Sequence, residues 1–331
     1  MRNEGLGIRN EKELTPNSSL LTPTSIGTLA LEAMLIEVSV TPKPGLVDRN
    51  NSGAHRDMGF FTFIKSACAL RSSFEEFARA GENFCGTEIK NLFPVIRKIG
   101  IEAEKKMFAA TDGINTHKGE IFSLGLLSAC AGFLAKNKIS LTPEEITQAA
   151  AKMCAGLCEK DFAGVHEKDK KFLTKGEKVF IEYGITGIRG EAEAGYPIVM
   201  NVGLPALKKY LSEGKNLNDA LAFTLINIMA EAHDTNIISR HDMDIAERVR
   251  QRAAEIIKKN YGLEEIYKFD RELIDAYISP GGAGDLLAVT YFLFQLKKIC
   301  PSHKNFKKDK ESRLKIFSLF FCRFQYRFCY R

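Results

Sequence analysis

The stretch GEIFSLGLLSACAGFLAK, residues 119–136, decides how this chain folds. Its pattern is helical, and apolar side chains occupy almost all sides of the helix. A helix that is apolar all round has to be enclosed by other elements. Residues 119–136 are therefore predicted to be the central helix of a bundle.

The segments on either side repeat the helical pattern. In residues 89–110, for example, the apolar residues fall on one stripe at helical spacing. Alternation typical of strands is nearly absent, so the predicted class is all-α, a multi-helix bundle. Further helices are predicted over Ser25–Val40, Phe60–Ala80 (ended by Gly81), Ile89–Ala110, Pro143–Cys158, Leu204–Leu211, Asn218–Ala232, Asp244–Lys259, Arg271–Tyr277 and Ala283–Ile299.

Composition is that of a soluble globular protein, with 45% hydrophobic and 27% charged residues. Residues 1–20 are polar and predicted to be loose, residues 21–300 to form a single all-helical domain, and residues 301–331 to be a basic aromatic tail. The tail explains the net charge of +6, since residues 297–331 hold 11 Lys or Arg and 2 Asp or Glu. No nucleic-acid partner is expected for the body.

The tail has two interpretations. Its alternating cations and aromatic rings suit contact with a membrane surface or with RNA. An extension outside the fold is favoured, because a helical body that ends at Ile299 is already complete.

The remaining global features predict a cytoplasmic protein without a membrane span. The N-terminus has no apolar signal-peptide region, and the longest uncharged apolar run, Ile121–Ala135, is shorter than the ~20 residues that a spanning helix needs. None of the eight cysteines forms a CxxC pair, which disfavours a structural zinc site or a redox motif.

Several standard nucleotide and hydrolase motifs are missing. The chain has no GxxxxGK[ST] loop, no GxGxxG, no HExxH and no GxSxG. Common phosphoryl transferases and dehydrogenases are therefore disfavoured.

The loop Thr41–Asp57, TPKPGLVDRNNSGAHRD, is unusually dense in charge and hydrogen-bonding groups. Prolines stiffen it and glycines allow conformations that other residues avoid. Its cations and carboxylates suit a site for phosphate and metal, and a solvated surface loop is the alternative. The charged members are Lys43, Asp48, Arg49, Arg56 and Asp57, accompanied by His55.

Two more polar segments begin helices. DGINTHKG, residues 112–119, runs into the central helix, where free backbone N–H groups favour anions and Lys118 adds a cation. SPGGAGD, residues 279–285, is a glycine-rich start to the last helix, with Asp285 able to reach a metal. Ordinary capping and turn chemistry explains both segments almost as well.

Two further segments connect helices. GIRGEAEAGYPIVMNVGL, residues 187–204, has Glu191 and Glu193 between glycines, which allows close approach of a ligand or simply marks an exposed connection. EAHDTNIISRHD, residues 231–242, offers Asp234 as a ligand that suits Mg²⁺ and Arg240 as a phosphate partner. A helical bundle could gather all five segments into one polar crevice.

The chain resembles the triphosphoribosyl-dephospho-coenzyme A synthase family, over about residues 29–296. The family makes the prosthetic-group precursor of citrate lyase, and a close relative serves malonate decarboxylase. The resemblance lies in EVSVTPKPGLVDRNNSGAHRDM (37–58), GINTHKGEIFSLGLL (113–127), RGEAEAGYP (189–197), AHDTN (232–236) and ISPGGAGDLLAVTYFL (278–293).

The resemblance implies an all-α, Mg²⁺-dependent enzyme with ATP and 3′-dephospho-coenzyme A as substrates. A ribose hydroxyl of the acceptor attacks the anomeric carbon of ATP, adenine leaves, and the triphosphate stays attached. The product is destined for an acyl carrier protein subunit through a separate transferase. Because no phosphoryl group moves, the missing phosphate loop fits this reaction.

Residue roles are predicted from the chemistry of the reaction, since the transition state should resemble an oxocarbenium ion and both substrates are polyanions. Asp234 is the first candidate for base or metal ligand and Glu193 the second for base. His117 or His55 would assist the departure of adenine. The metal candidates are Asp48, Asp57, Asp234 and Asp285. The phosphate-binding candidates are Lys43, Arg49, Arg56, Asn115, Lys118, Arg240, Gly281 and Gly282.

Two other functions stay open at this point. A Mg²⁺-dependent hydrolase of ADP-ribose or a related nucleotide N-glycoside would use the same carboxylates with water as the nucleophile. A helical scaffold without catalysis would more often show a repeat or an exposed apolar stripe, and the five glycine-bearing loops argue against it.

Overall fold

A computed structural model describes residues 21–137 and 139–299. All regular structure among them is helical and none is a strand, which confirms the all-α class. The predictions for residues 1–20 and 301–331 lie outside the described residues. The α-helices are α1 (Pro23–Ser39), α2 (Phe60–Asn83), α3 (Phe93–Ala110), α4 (Lys118–Lys136), α5 (Pro143–Cys154), α6 (Leu157–Phe162), α7 (Lys175–Tyr183), α8 (Gly187–Glu193), α9 (Leu204–Ser212), α10 (Leu217–Glu231), α11 (Thr235–Arg240), α12 (Met243–Lys258), α13 (Leu263–Asp275) and α14 (Gly281–Ile299).

Three apolar helices, α4, α10 and α14, form the centre of the bundle. Helix α4 is buried along most of its length and packs against α1, α2, α3, α5 and α14, as its pattern predicted. Helix α14 packs against α1 and α4 and also against α10. Helix α10 in turn packs against α9 and α12. The first turns of α4 and α14 open towards the same cleft, so the packing of the core fixes two walls of the site.

Helices α2 and α4 approach each other at glycine. A Cβ on Gly81 would lie 1.9 Å from the carbonyl oxygen of Ala129, and a Cβ on Gly132 would lie 2.0 Å from that of Ala78. Helix α2 continues past Gly81 to Asn83, so the prediction that Gly81 ends this helix was wrong. This glycine serves close packing of two backbones rather than termination.

Several short elements differ from the predictions. The helix expected over residues 143–158 is divided into α5 and α6 at Gly156, which has a φ of +74°. The helix expected at Arg271–Tyr277 is the last part of a longer one, α13. Helices α6, α7, α8 and α11 were not predicted as separate elements, and α8 and α11 line the cleft described below.

Helix α4 is long and apolar enough to span a membrane by length and composition alone. The prediction from the sequence considered only the shorter uncharged run Ile121–Ala135 within it. However, 72% of its most apolar window is buried inside the fold. Its hydrophobicity is therefore explained by its place at the centre of the bundle.

Candidate active site

A cleft of two adjoining chambers collects residues from all five of the polar segments. The smaller chamber, of about 110 Å³, is formed by the end of α1, the loop 41–58 and the first turns of α4 and α14. The larger chamber, of about 570 Å³, is formed by α8, α11 and the first turns of α4 and α14. Both chambers are lined by Asn115, Lys118, Gly119, Asn236 and Asp285.

The loop 41–58 is built in two parts. Residues 41–48 are buried, whereas Arg49 and Asp57 are exposed, so only the second part matches the solvated-loop alternative. Gly45 has a φ of +70°, and a Cβ there would lie 2.2 Å from the carbonyl oxygen of Ile278. Asp270 of α13 accepts the Gly45 N–H at 3.0 Å, and burial raises the pKa of that carboxyl to about 6.

An acidic cluster lines the smaller chamber. Glu37 at the end of α1 pairs with Lys43 at 2.5 Å, and both side chains are almost fully buried. Glu120 in the first turn of α4 is also buried. Asp285 of α14 lies against the backbone of α4, because a Cβ on Gly119 would be 1.9 Å from its Oδ2. These three carboxylates and one ammonium group form the polar wall of the chamber.

Burial and mutual repulsion disfavour the charged forms of the carboxylates in this cluster. Burial raises the pKa of Glu120, and the neighbouring charges of Glu37 and Asp285 raise it further. Burial likewise raises the pKa of Asp285, followed by the charges of Asp234 and Glu37. Oε2 of Glu37 and Oε2 of Glu120 are buried and have no hydrogen-bond partner among the described residues. A cation or a proton is needed to balance these groups.

Asp234 lies at the larger chamber, where its carboxylate binds backbone N–H groups of two helices. It caps α11, with Oδ1 accepting the N–H of Asn236 at 2.9 Å and that of Ile237 at 3.3 Å. Its Oδ2 accepts the Ala283 N–H of α14 at 2.9 Å. Burial raises the pKa of Asp234, and these N–H donors oppose the rise. The carboxylate thus joins the starts of α11 and α14.

The other predicted metal ligands are not brought together. Asp48 turns inward within its own loop, where Oδ1 accepts the N–H groups of Asn50 and Asn51. Asp57 is exposed and lies outside both chambers. In the described part of the chain no group of three His, Cys, Asp or Glu side chains forms a ready metal site. Mg²⁺ commonly takes only one or two carboxylates and completes its shell with substrate phosphate and water, so Glu37 and Glu120 with their unpartnered oxygens fit it better.

The two predicted histidines have different environments. His117 is fully buried behind the cleft, with Nδ1 2.7 Å from Oγ of Ser66, and burial lowers its pKa to about 3. His55 lines the smaller chamber, and its Nε2 lies 2.8 Å from Oγ of Ser279. Burial lowers the pKa of His55, and the charge of Arg240 adds to this shift.

The cations predicted to hold phosphate divide between the cleft and the outer surface. Lys43, Lys118 and Arg240 line the smaller chamber, and Asn115 accepts the Lys118 N–H with its Oδ1. Gly281 lines the smaller chamber and Gly282 the larger.

Two predicted cations are turned away from the chambers. Arg49 donates from Nη1 to the carbonyl of Ser39 at 3.1 Å. Arg56 stacks over the ring of Tyr277 at 4.7 Å and donates to its hydroxyl.

Glu193 is also absent from both chambers. Its carboxylate accepts the N–H groups of Gly156 and Cys158 at 2.6 and 3.0 Å and thereby caps α6. Glu191, on the same short helix, lines the larger chamber instead. The residues of the chambers that sequence reasoning missed include Glu37, Glu120 and Ser279, whereas Glu191 was noted in its segment without a specific role.

A signal for Glu120 existed in the sequence. It is the only acidic residue in the apolar stretch 119–136, and an unpaired acid in an otherwise enclosed helix indicates a functional group. Glu37 had a weaker signal, as the last acidic residue before the charged loop.

Two adjoining chambers with buried carboxylates, cations and two long-helix starts suit the binding of an anionic ligand such as a nucleotide. Residues 23–303 match the family described as "CitG: ATP:dephospho-CoA triphosphoribosyl transferase". The chain belongs to this family, which confirms the resemblance in the sequence.

Curated relatives agree over most of the chain. A protein of Escherichia fergusonii named 2-(5''-triphosphoribosyl)-3'-dephosphocoenzyme-A synthase is 39% identical over 85% of this chain and 94% of its own length. Proteins with the same name marked "probable" are 39% identical in Vibrio cholerae (84% of this chain, 90% of theirs) and 41% identical in Photobacterium profundum (84% and 89%). No solved structure matches significantly.

Proposed function

We propose that this chain transfers the triphosphoribosyl group of ATP to a ribose hydroxyl of 3′-dephospho-coenzyme A and releases adenine. The observation that carries the proposal is the pair of chambers with Asp285 in their shared wall. In ATP the ribose stands between the base and the triphosphate, so one chamber takes each end. The anomeric carbon then lies where the chambers join.

The triphosphate belongs in the smaller chamber. Lys43, Lys118 and Arg240 supply positive charge there, and residues of the first turns of α4 and α14 line it, where the helix dipoles favour an anion. Each of these two helices is 19 residues long, so both carry a full helix dipole. Arg49 and Arg56 are not needed in this arrangement.

Mg²⁺ fits the acidic cluster on charge and on donor chemistry. In their ionised forms, Glu37, Glu120 and Asp285 together with the Lys43 ammonium carry two negative charges, which one divalent cation would neutralise. Glu37 and Glu120 would hold the ion with their buried free oxygens, and its charge would offset that of the triphosphate. Thermal unfolding tests this without turnover: MgCl₂ should stabilise the wild-type protein but not Glu120→Gln.

Asp285 is assigned the chemistry at the anomeric carbon. The bond from this carbon to N9 of adenine breaks and a bond to the acceptor oxygen forms through an oxocarbenium-like state. A carboxylate in the shared wall stabilises the developing positive charge and takes the proton of the attacking hydroxyl. Asp234 supports it from behind by holding the starts of α11 and α14 together.

Adenine release measured with and without acceptor tests the function. We expect adenine to be released from ATP only when 3′-dephospho-coenzyme A is present. The acceptor should then become heavier by one triphosphoribosyl group. Release without acceptor would instead identify the hydrolase. No release in either reaction by folded protein would refute both.

We also propose a cytoplasmic location and delivery of the product to an acyl carrier protein subunit of citrate lyase or malonate decarboxylase by a separate transferase. Intact-mass analysis of each carrier after incubation with the product and that transferase checks this. A carrier that gains no prosthetic group is not a partner.

A further inference from the structure

Glu191 is an acid of the larger chamber that the steps above do not use. It lies on α8, its side chain is partly buried, and its Oε2 accepts the Ile198 N–H at 3.3 Å. Among residues 21–137 and 139–299, no hydrogen bond is made to its Oε1. Burial raises the pKa of Glu191, and the Ile198 N–H opposes this rise.

The remaining acids of this chamber are committed to other groups or are solvated. Glu104 pairs with Lys118 at 2.8 Å, and Asp234 holds backbone N–H groups with both oxygens. Glu231 is exposed. Asp285 lies in the wall that both chambers share. Within the part of the chain that the structure describes, Glu191 is thus the partly buried acid of this chamber with a free oxygen and no ion-pair partner.

The walls of the larger chamber suit the flat faces of a purine base. Phe122, Ile185, Ile188 and Leu286 line this chamber, and its lining is more apolar than that of the smaller one. If the triphosphate occupies the smaller chamber, the adenine of ATP extends into the larger. A base held there lies in the same chamber as the free carboxyl oxygen.

Resting on the function proposed above, we propose that Glu191 is the general acid that protonates adenine as it leaves. The bond between the anomeric carbon and N9 breaks with its electron pair going to the base, and the Glu191 proton passes to a ring nitrogen of adenine. Adenine therefore departs neutral rather than as a poor anionic leaving group. The proton of the acceptor hydroxyl passes to Asp285 and then to water, and Glu191 recovers its proton from water.

Leaving-group dependence tests this role directly. The rate of Glu191→Gln is compared with wild type for ATP and for 6-chloropurine ribonucleoside triphosphate, whose base leaves readily without a proton. With ATP the variant should lose about 10²–10⁴-fold in kcat, the range for general acid catalysis. With the activated donor the loss should be less than about tenfold, because the missing proton is no longer needed.

Glu193→Gln is the matched comparison, since it makes the same chemical change on the same helix. It should lower both rates by the same factor, because its carboxylate caps α6 outside the cleft. Glu191→Asp, which keeps an acid, should retain more ATP-dependent rate than Glu191→Gln, and thermal unfolding verifies that each variant is folded.

Three outcomes would overturn the proposal. The first is an equal loss of rate in Glu191→Gln with both donors, and the second is a full rate of that variant with ATP. The third is a donor-selective loss in His233→Gln instead, since His233 also lines the larger chamber. Failure of the wild-type protein to transfer from either donor would instead refute the proposed function itself.

Discussion

Replacing Gly119 by alanine should separate the activity of this protein from its stability. A Cβ at this position would lie 1.9 Å from Oδ2 and 2.5 Å from Cγ of Asp285, whereas real Cβ contacts stay above 3.0 Å. The carboxylate must therefore move by about 1 Å or more. A displacement of that size at a reacting centre costs on the order of 10²-fold, or about 2.7 kcal/mol of transition-state stabilisation.

The fold should tolerate the same change. The clashing atoms are the end of a side chain, which rotates away cheaply, and alanine is favoured over glycine in a helix by up to about 1 kcal/mol. We expect kcat/KM for adenine release to fall about 10²-fold in Gly119→Ala while the melting temperature stays near that of wild type.

The control is Gly100→Ala in α3, where the new Cβ would lie 3.8 Å from the ring of Phe77, an ordinary contact. It should keep full activity and gain stability. Wild-type activity of Gly119→Ala would refute the role of Asp285, and its unfolding would refute the argument that the clash is relieved by side-chain rotation.

Three further predictions concern the surroundings of the cleft. Arg240→Gln should raise KM for ATP about tenfold or more in steady-state assays, reflecting a lost charged hydrogen bond of about 1.5–3 kcal/mol, whereas Arg49→Gln, on the outer surface, should not. His117 has a folded pKa of about 3 against 6.5 unfolded, so the unfolded state binds more protons and stability falls as the pH drops below 6.5. Urea unfolding should show wild type losing about 2 kcal/mol more than His117→Gln between pH 7 and about pH 5; an equal loss would contradict the buried neutral ring. Glu193→Ala should lower the free energy of unfolding by about 1 kcal/mol through loss of a helix cap. The urea midpoint should fall, and the folded fraction should stay active. Complete inactivation would show that Glu193 acts in the active site.

The long helices could be predicted because each buries one apolar face or, as in α4, nearly its whole surface. That requirement is written into the spacing of apolar residues. Helices α8 and α11 have 7 and 6 residues and carry too few apolar positions for a periodic signal. They form because Asp234 caps one and because both pack onto the bundle, and such contacts are not local in sequence.

The sequence indicated which segments line the cleft, but it did not indicate which of their side chains face it. Glu191 and Glu193 stand two positions apart on a helix, which directs their side chains to nearly opposite sides. Nothing in RGEAEAGYP tells which side faces the cleft and which faces α6. Likewise the density of cations in the loop 41–58 does not reveal that Arg49 and Arg56 bind protein groups on its outer side.

The backbone contact of α2 with α4 at Gly81 and Gly132 also determines which wall of the cleft is able to move. Two long helices in such close contact slide or separate only by breaking many atomic contacts together, so the α4 wall is rigid during turnover. Another wall of the larger chamber is the short helix α8, which is preceded by Gly184 and begins at Gly187, and both glycines have positive φ. Exchange of substrates and of adenine should therefore proceed by displacement of α8, and hydrogen exchange should be fastest there and slowest across α2 and α4.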